Sequence, residues 1–297
     1  MRGHFFLAGG RSDPSLAALR EACIRAEVPV AQLLHDHDAE PAVLFRPGSR
    51  EIEADGQQFI VSAGFCRYDV FSSPNGEITA GLPKSPAWFA LATGLLALPE
   101  VRSFNSGQLA DAGNKPGDLA IAIAAGLQVP ETVLSNSRAH IEAFLGRYPD
   151  AVAKPVAGGG YCHDAAKSLE AADWQDERTA LPAFLQERLS YPEYRIYRIG
   201  TEFLAFKLES RFLDYRVDPA SRMVVLDDIG SIRPLMNGLS KVSDMLRMDF
   251  CAFDLKTRAR DGEVCFLEVN SGPMFAAHDA VSRGRLTDMM VRHLWRS

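Results

Sequence analysis

The sequence predicts an α/β to α+β chain, and three observations lead to that class. Short runs rich in Phe, Ile and Leu, such as "HFFLAG" (4–9) and "RIYRIGTEFLAF" (195–206), are bounded or split by glycine and read as strands. Between such runs lie stretches like "PSLAALREACIRAEV" (14–28), with apolar residues at helical spacing. The 297 residues are 47% hydrophobic and 24% charged, enough for two or three small lobes that each bury a core and unlike a disordered or collagen-like chain.

Taken in order, residues 4–9 form an apolar strand, 14–28 a helix and "VPVAQLL" (28–34) a second strand, which makes a βαβ opening. The Gly9-Gly10 pair lacks the G-x-G-x-x-G spacing, so a tight strand-to-helix turn is expected there in place of a dinucleotide fingerprint. The segments "AVLFRPGS", "REIEADGQQFIV" and "AGFCRYDVF" (42–71) add strands and a turn, and "SPAWFALATGLLALPEV" (85–101) reads as one amphipathic helix. A small first lobe ends near residue 90. "NKPGDLAIAIAAGLQVPETVL" (114–134) is a helix, a glycine stop and a strand leading away from Pro130; "RAHIEAFLGRYP" (138–149) is a helix; "DAVAKPVAGGGYC" (150–162) is a strand entering a glycine loop. "AFLQERLSYPEYRIYRIGTEFLAFKLES" (183–210) reads as a linker and two long antiparallel strands turning at Gly200-Thr201. "MLRMDFCAFDLKTRARDGEVCFLEVN" (245–270) supplies a helix end and two strands joined by "TRARDG".

A net charge of −6 gives no electrostatic reason to expect nucleic acid or an anionic membrane as partner. Five scattered cysteines with no CxxC fit a reducing cytoplasm. The apolar run near residue 5 is too short for a signal segment, and no stretch approaches eighteen apolar residues, so a soluble cytoplasmic chain is expected. Nothing in the sequence separates a monomer from a homo-oligomer.

"CFLEVN" (265–270) would be an ordinary buried strand but for Glu268 and Asn270 in its apolar run. Strict alternation puts both on one face beside Phe266, with Cys265, Leu267 and Val269 on the other. If the hairpin turns near Asp261-Gly262, Asp254 falls within one residue of the position opposite Glu268, and cross-strand neighbours lie roughly 5 Å apart. Two carboxylates that close repel unless a cation sits between them. Three hard oxygen donors suit Mg²⁺ or Mn²⁺ better than zinc. For Glu268 alone a hydrogen-bonded polar residue at a sheet end is the better reading; for three converging donors it is a metal. In "AKPVAGGGY" (153–161), a lysine at the end of an apolar strand and a Gly-rich turn offer an ammonium and backbone N–H groups to a phosphate chain. This is not a Walker A sequence, and most glycine clusters are plain loops.

The order of these features resembles the ATP-grasp superfamily, with the nearest likeness to RimK-type carboxylate–amine ligases and to ATP-grasp maturases of ribosomally synthesised peptides, the graspetide type. The residues that carry it are "NKPGDLAIAIAAGLQVPETVLSN" (114–136), "AVAKPVAGGGY" (151–161), "FLQERLSYPEYRIYRIG" (184–200), "LDYR" (213–216) and "DFCAFDLKTRARDGEVCFLEVNSGP" (249–273), collinear over the C-terminal two thirds of the chain. The resemblance implies an ATP-grasp fold: an N-terminal pre-ATP-grasp α/β lobe (1–90), a central lid lobe (91–184) and a C-terminal antiparallel-sheet catalytic lobe (185–297). It implies ATP and Mg²⁺ (or Mn²⁺) as cofactors. Lys115 and Lys154 match the lysines on the ATP phosphates, and Gly158, Gly159 and Gly160 the loop closing over them. Gln186, Glu187, Arg188 and Leu189 match the hinge that contacts adenine, and Glu193 the acid on the ribose. Arg195 and Arg216 match arginines facing phosphate or the activated carboxylate, and Asp254, Glu268 and Asn270 the metal ligands. The implied activity is an ADP-forming ligase that activates a carboxylate as an acyl phosphate and joins it to an amine or hydroxyl of an amino acid or peptide. A phosphotransferase on the same nucleotide residues, or a nucleotide-binding protein without chemistry, is the alternative. The chain departs from the family after Asn270, where "SGPMFAAHD" replaces the maturases' "PNGQ" and the RimK-type "SSPG", which bears on the substrate and not the metal.

Other polar features carry less. Arg67 is suited equally to a substrate carboxylate and to a structural salt bridge. "HDHD" (35–38) has metal-binding composition but reads as solvated surface, and adjacent Cys162 and His163 do not make a catalytic pair. Lys256, Arg258 and Arg260 are expected at a solvated hairpin tip.

Overall fold

The structure, a computed structural model, describes residues 3–36, 40–71, 84–108, 114–156, 162–170, 172–213 and 218–295. The chain forms two compact units, the first of residues 1–108, 199–202 and 272–297 and the second of residues 109–198 and 203–271.

In the first unit, β1 (His4–Gly10), α1 (Pro14–Arg25) and β2 (Val30–His35) form the expected βαβ opening, with β1 and β2 parallel. Asp13 caps α1 by accepting from the backbone N–H groups of Ser15 and Leu16. β3 (Val43–Phe45), β4 (Glu51–Ala54) and β5 (Gln57–Cys66) follow, and β5 absorbs the two strands expected between 57 and 66 into one. It pairs antiparallel with β4 through its first half and parallel with β1 through its second. After α2 (Ser85–Leu96), β6 (Arg102–Ser103) joins β5, giving a sheet ordered β2-β1-β5-β4-β3 with β6 alongside β5. Phe6, Leu33, Ile52, Val61 and Leu95 lie in the core between this sheet and α2.

The Gly-Gly pair belongs to β1 itself and not to a turn. Gly9 has φ +145, and a Cβ there would stand 2.8 Å from the Arg67 carbonyl oxygen; at Gly10 it would meet the Asp69 carboxylate at 2.2 Å. Close approach of the chain after β5 therefore excludes side chains at both positions.

The second unit opens with α3 (Lys115–Ala124), capped by Asn114, which accepts from Gly117 N–H at 3.3 Å; Gly126 ends it at φ +87. Then come β7 (Thr132–Ser137), α4 (Arg138–Arg147), β8 (Val152–Lys154), β9 (His163–Asp164), α5 (Ala165–Glu170) and β10 (Arg178–Gln186). These strands make a sheet ordered β7-β10-β8-β9, covered by α4 and α5 around Ile141, Phe144 and Leu185. "AFLQ" is thus the end of β10 and not a linker, because it pairs with β7 and β8 on its two sides. β11 (Ser190–Ile199), β12 (Glu202–Glu209), β13 (Arg222–Val225), α6 (Met236–Met245), β14 (Phe250–Thr257) and β15 (Val264–Asn270) complete the unit, with a sheet ordered β13-β12-β11-β14-β15. Tyr194, Ile196, Phe253, Leu255, Phe266 and Val269 point from it onto α3 and α6, whose Leu119, Leu239 and Val242 fill the same core.

Three helices have no counterpart in the sequence expectations, α5 in the second unit and two at the C-terminal end of the chain. α7 (Ala276–Val281) and α8 (Arg285–Leu294) return the chain to the first unit, where α8 lies against α1 and Arg25 reaches Asp288 at 2.7 Å. Among the described residues no helix is long and apolar enough to cross a membrane.

Candidate active site

The β14–β15 hairpin places the acidic residues. Asp254 pairs directly opposite Glu268 and Ala252 opposite Asn270, but Leu255 pairs with Phe266, so Leu267 is an extra residue on β15. This bulge corrects the strict alternation expected for the strand: Phe266 lies in the core with Val269, not beside Glu268 and Asn270. The expected convergence survives, because the bulge falls before Glu268 and leaves the last residues in regular register.

Three side chains meet there. The Asn270 Nδ2 lies 3.1 Å from Asp254 Oδ2 and 3.5 Å from Glu268 Oε1. From the neighbouring strand β11, Arg195 Nη1 donates to both Asp254 oxygens at 2.5 Å. Burial pushes the Asp254 carboxyl up to about 7; Arg195 opposes this, and the Glu268 and Glu193 carboxylates add to it. A divalent cation among these groups would relieve that repulsion, and a half-turn of the Asn270 carboxamide exchanges its donor for a third oxygen ligand. The donor set therefore fits Mg²⁺ or Mn²⁺. Among the described residues no group of three or more His, Cys, Asp or Glu could hold a metal, since this set has a carboxamide as its third member.

The phosphate and hinge candidates lie on the adjoining elements. Lys154 ends β8 opposite Phe184, and its Nζ donates to Gln186 Oε1 at 2.9 Å; Gln186 in turn donates to Thr132 Oγ1. Residues 187–189 are the whole connection from β10 of one sheet to β11 of the other. Glu187 is fixed there, its N–H donating to the Glu131 carbonyl at 2.8 Å and its carboxylate meeting Arg260 at 3.3 Å. Lys115 is the first residue of α3, half-buried, with Pro116 behind it. Gly158, Gly159, Gly160 and Arg216 lie outside the described residues, as do His37 and Asp38 of "HDHD".

Other expectations change. Arg67, in the first unit, is buried; it bonds Asp13 at 2.7 Å and donates to the carbonyls of Gly272 and Pro273, the structural one of its two alternatives. His35 is buried in β2, 3.7 Å from Asp69 and stacked on Trp88, not solvated. In the basic run only Arg260 is well exposed: Arg258 is folded onto Asp261, and Lys256 is buried against Glu193 and Tyr191. The sequence signal for Lys256 was its spacing of two from Asp254, which puts both side chains on one face of β14.

No family model matches the chain, and no curated protein does. Solved structures do match over almost the whole chain. The ATP-grasp ligase PsnB, complexed with a phosphomimetic variant of its minimal precursor, Mg and ADP, has a TM-score of 0.74 at 21% identity, covering 99% of this chain and 100% of that one. The macrocyclase MdnC from Microcystis aeruginosa MRC, bound with precursor peptide MdnA, has 0.71 at 17% identity, covering 99% and 100%. A RiPP-associated ATP-grasp ligase of Chryseobacterium gregarium, in complex with ADP and a leader and core peptide, has 0.68 at 16%, covering 99% and 96%. The chain has the ATP-grasp fold.

Proposed function

We propose that this chain is an ATP-dependent, ADP-forming ligase that joins a carboxylate to an amine or hydroxyl, with a peptide as its substrate. The observation that carries this reading is the register of β14 on β15, which sets Asp254 against Glu268 with Asn270 and Arg195 at contact distance. On an ATP-grasp fold, that arrangement suits Mg²⁺-bound ATP. Asp254, Glu268 and Asn270 hold the metal, which supplies charge neutralisation for the transferring phosphoryl group. Lys115, Lys154 and Gly158 to Gly160 hold the phosphates, Gln186 to Leu189 the adenine and Glu193 the ribose. A lysine at the first position of α3 is opposed by the helix dipole, so its presence there fits a bound anion better than helix stability.

The substrate carboxylate takes the γ-phosphoryl group and ADP is released. Arg195 and Arg216 steady the charge on the carboxyl phosphate. The amine or hydroxyl adds to that carbonyl, loses its proton and expels phosphate, leaving an amide or ester. Arg195 is held by Asp254 in a fixed orientation, so its charge is in place before reaction. The complexes of PsnB and MdnC with precursor peptides support a peptide as the substrate.

The test is trapping. Purified protein, ATP, Mg²⁺ and hydroxylamine are incubated with panels of amino acids, dipeptides and acidic peptides, without a natural acceptor. The expected result is a hydroxamate and one ADP per hydroxamate. AMP with pyrophosphate, or a stable phosphoester on a hydroxyl, would overturn the ligase reading.

A further inference from the structure

Lys256 stands on the same face of β14 as Asp254. Its exposure is 6%, so the ammonium has left bulk water, a cost that only close partners offset. Three groups meet it: Glu193 Oε2 at 3.3 Å, the Leu213 carbonyl, to which Nζ donates at 3.2 Å, and the ring of Tyr191, its centroid 3.9 Å from Nζ. Tyr191, Glu193 and Arg195 alternate along β11, so they share one face, while Tyr194 and Ile196 fill the core behind. Two ion pairs therefore stand side by side on the sheet: Arg195 with Asp254 at the metal position, and Lys256 with Glu193 next to it.

A carboxylate has about four acceptor positions. The ammonium on Oε2 takes one of these positions and constrains the plane of the Glu193 carboxylate. The same ammonium ties the Leu213 carbonyl, one residue ahead of the segment 214–217 that carries Arg216. We propose that Lys256 is a positioning residue of the nucleotide site, holding the Glu193 carboxylate in the orientation that receives the ribose hydroxyls. The inference rests on the ATP reading above, with Glu193 at the ribose.

The test compares binding of ATP and of 2′,3′-dideoxy-ATP, each with Mg²⁺, by titration calorimetry. Hydrogen bonds to a charged acceptor should make the wild-type protein prefer ATP by about tenfold or more. In Lys256→Met that preference should collapse to within about twofold, while affinity for the dideoxy nucleotide changes by less than about threefold. A structural role alone would weaken both nucleotides together, so equal losses, or a preference kept in Lys256→Met, overturn the inference. So does wild-type protein that binds both nucleotides alike, since that takes Glu193 off the ribose while leaving ATP binding intact. Wild-type protein that binds neither overturns the functional reading itself. If Lys256→Met does not fold, the same change is made in Glu193→Gln, where no carboxylate is left without its ammonium. There it should leave discrimination as in Glu193→Gln alone, and a further selective loss of ATP affinity overturns the proposal.

Discussion

Glu268 lies opposite Asp254 and is not a member of the core that Phe266 and Val269 join, so its carboxylate can be neutralised without disturbing that core. Glu268→Gln should lower turnover by at least about 100-fold, as lost electrostatic stabilisers do, and leave the thermal midpoint close to wild type. Steady-state phosphate release and calorimetry of the same preparation check both halves, and near-normal turnover would remove the metal assignment. Lys154 is bonded to a carboxamide and not to an internal carboxylate, so Lys154→Ala leaves no buried charge behind. Nucleotide binding should weaken while the midpoint without nucleotide moves little; a large stability loss would mean that the lysine serves packing. His35 answers to pH. Burial holds its imidazole below the ordinary 6.5, and the nearby Asp69 carboxylate only partly opposes this. As pH falls below 6.5, the unfolded chain takes up that proton while the folded first unit resists it, so stability is present above this range and declines below it. Thermal melts across that range should show the decline in wild type and a flatter acid limb in His35→Asn.

At the scale of elements, the bulge at Leu267 shows why the strand could be read only in part. Alternation along β15 is a local property, and it correctly pairs Glu268 with Asn270. The extra residue is decided by how Phe266 and Val269 must both reach the core shared with α3 and α6. "AFLQ" is a similar case: a short apolar run does not reveal whether strands flank it on both sides, and only β7 and β8 make it the interior strand β10. Helix packing is tight where α6 meets the chain after α3. A Cβ on Gly238 would lie 2.5 Å from Leu127 Cδ2 and 2.8 Å from its Cγ. Leu127 is itself buried and cannot swing clear. Gly238→Ala gains about 1 kcal/mol of helix propensity but overpacks by about 1–3 kcal/mol, so net destabilisation is expected, read as a lower denaturant midpoint at unchanged slope. A more stable variant would show that α6 can shift away from Leu127.

Over the whole molecule, every site residue described here except Arg67 belongs to the second unit. Mg²⁺ with a non-hydrolysable ATP analogue should therefore slow amide exchange in 152–156, 186–195 and 252–270. Strands β1, β2 and β5 of the first unit should keep their own rates, measured by mass spectrometry of exchanged peptides. Equal protection of both units would place the nucleotide elsewhere. The sequence by itself determined the class of the chain, the order of its main elements and the residues of its oxygen cluster. Those follow from periods of two and 3.6, from Gly126, Gly200 and Gly262 at the turns, and from residue types in a fixed order, all carried by neighbours along the chain. Only the tertiary structure decided that Arg67 is held by Asp13, that Gly9 and Gly10 clear a path for Arg67 and Asp69, that two further helices close onto the first unit, and that Lys256 is buried on Glu193. A charged side chain carries the same letter in water and in a sheet, and its role depends on which distant residues fold against it.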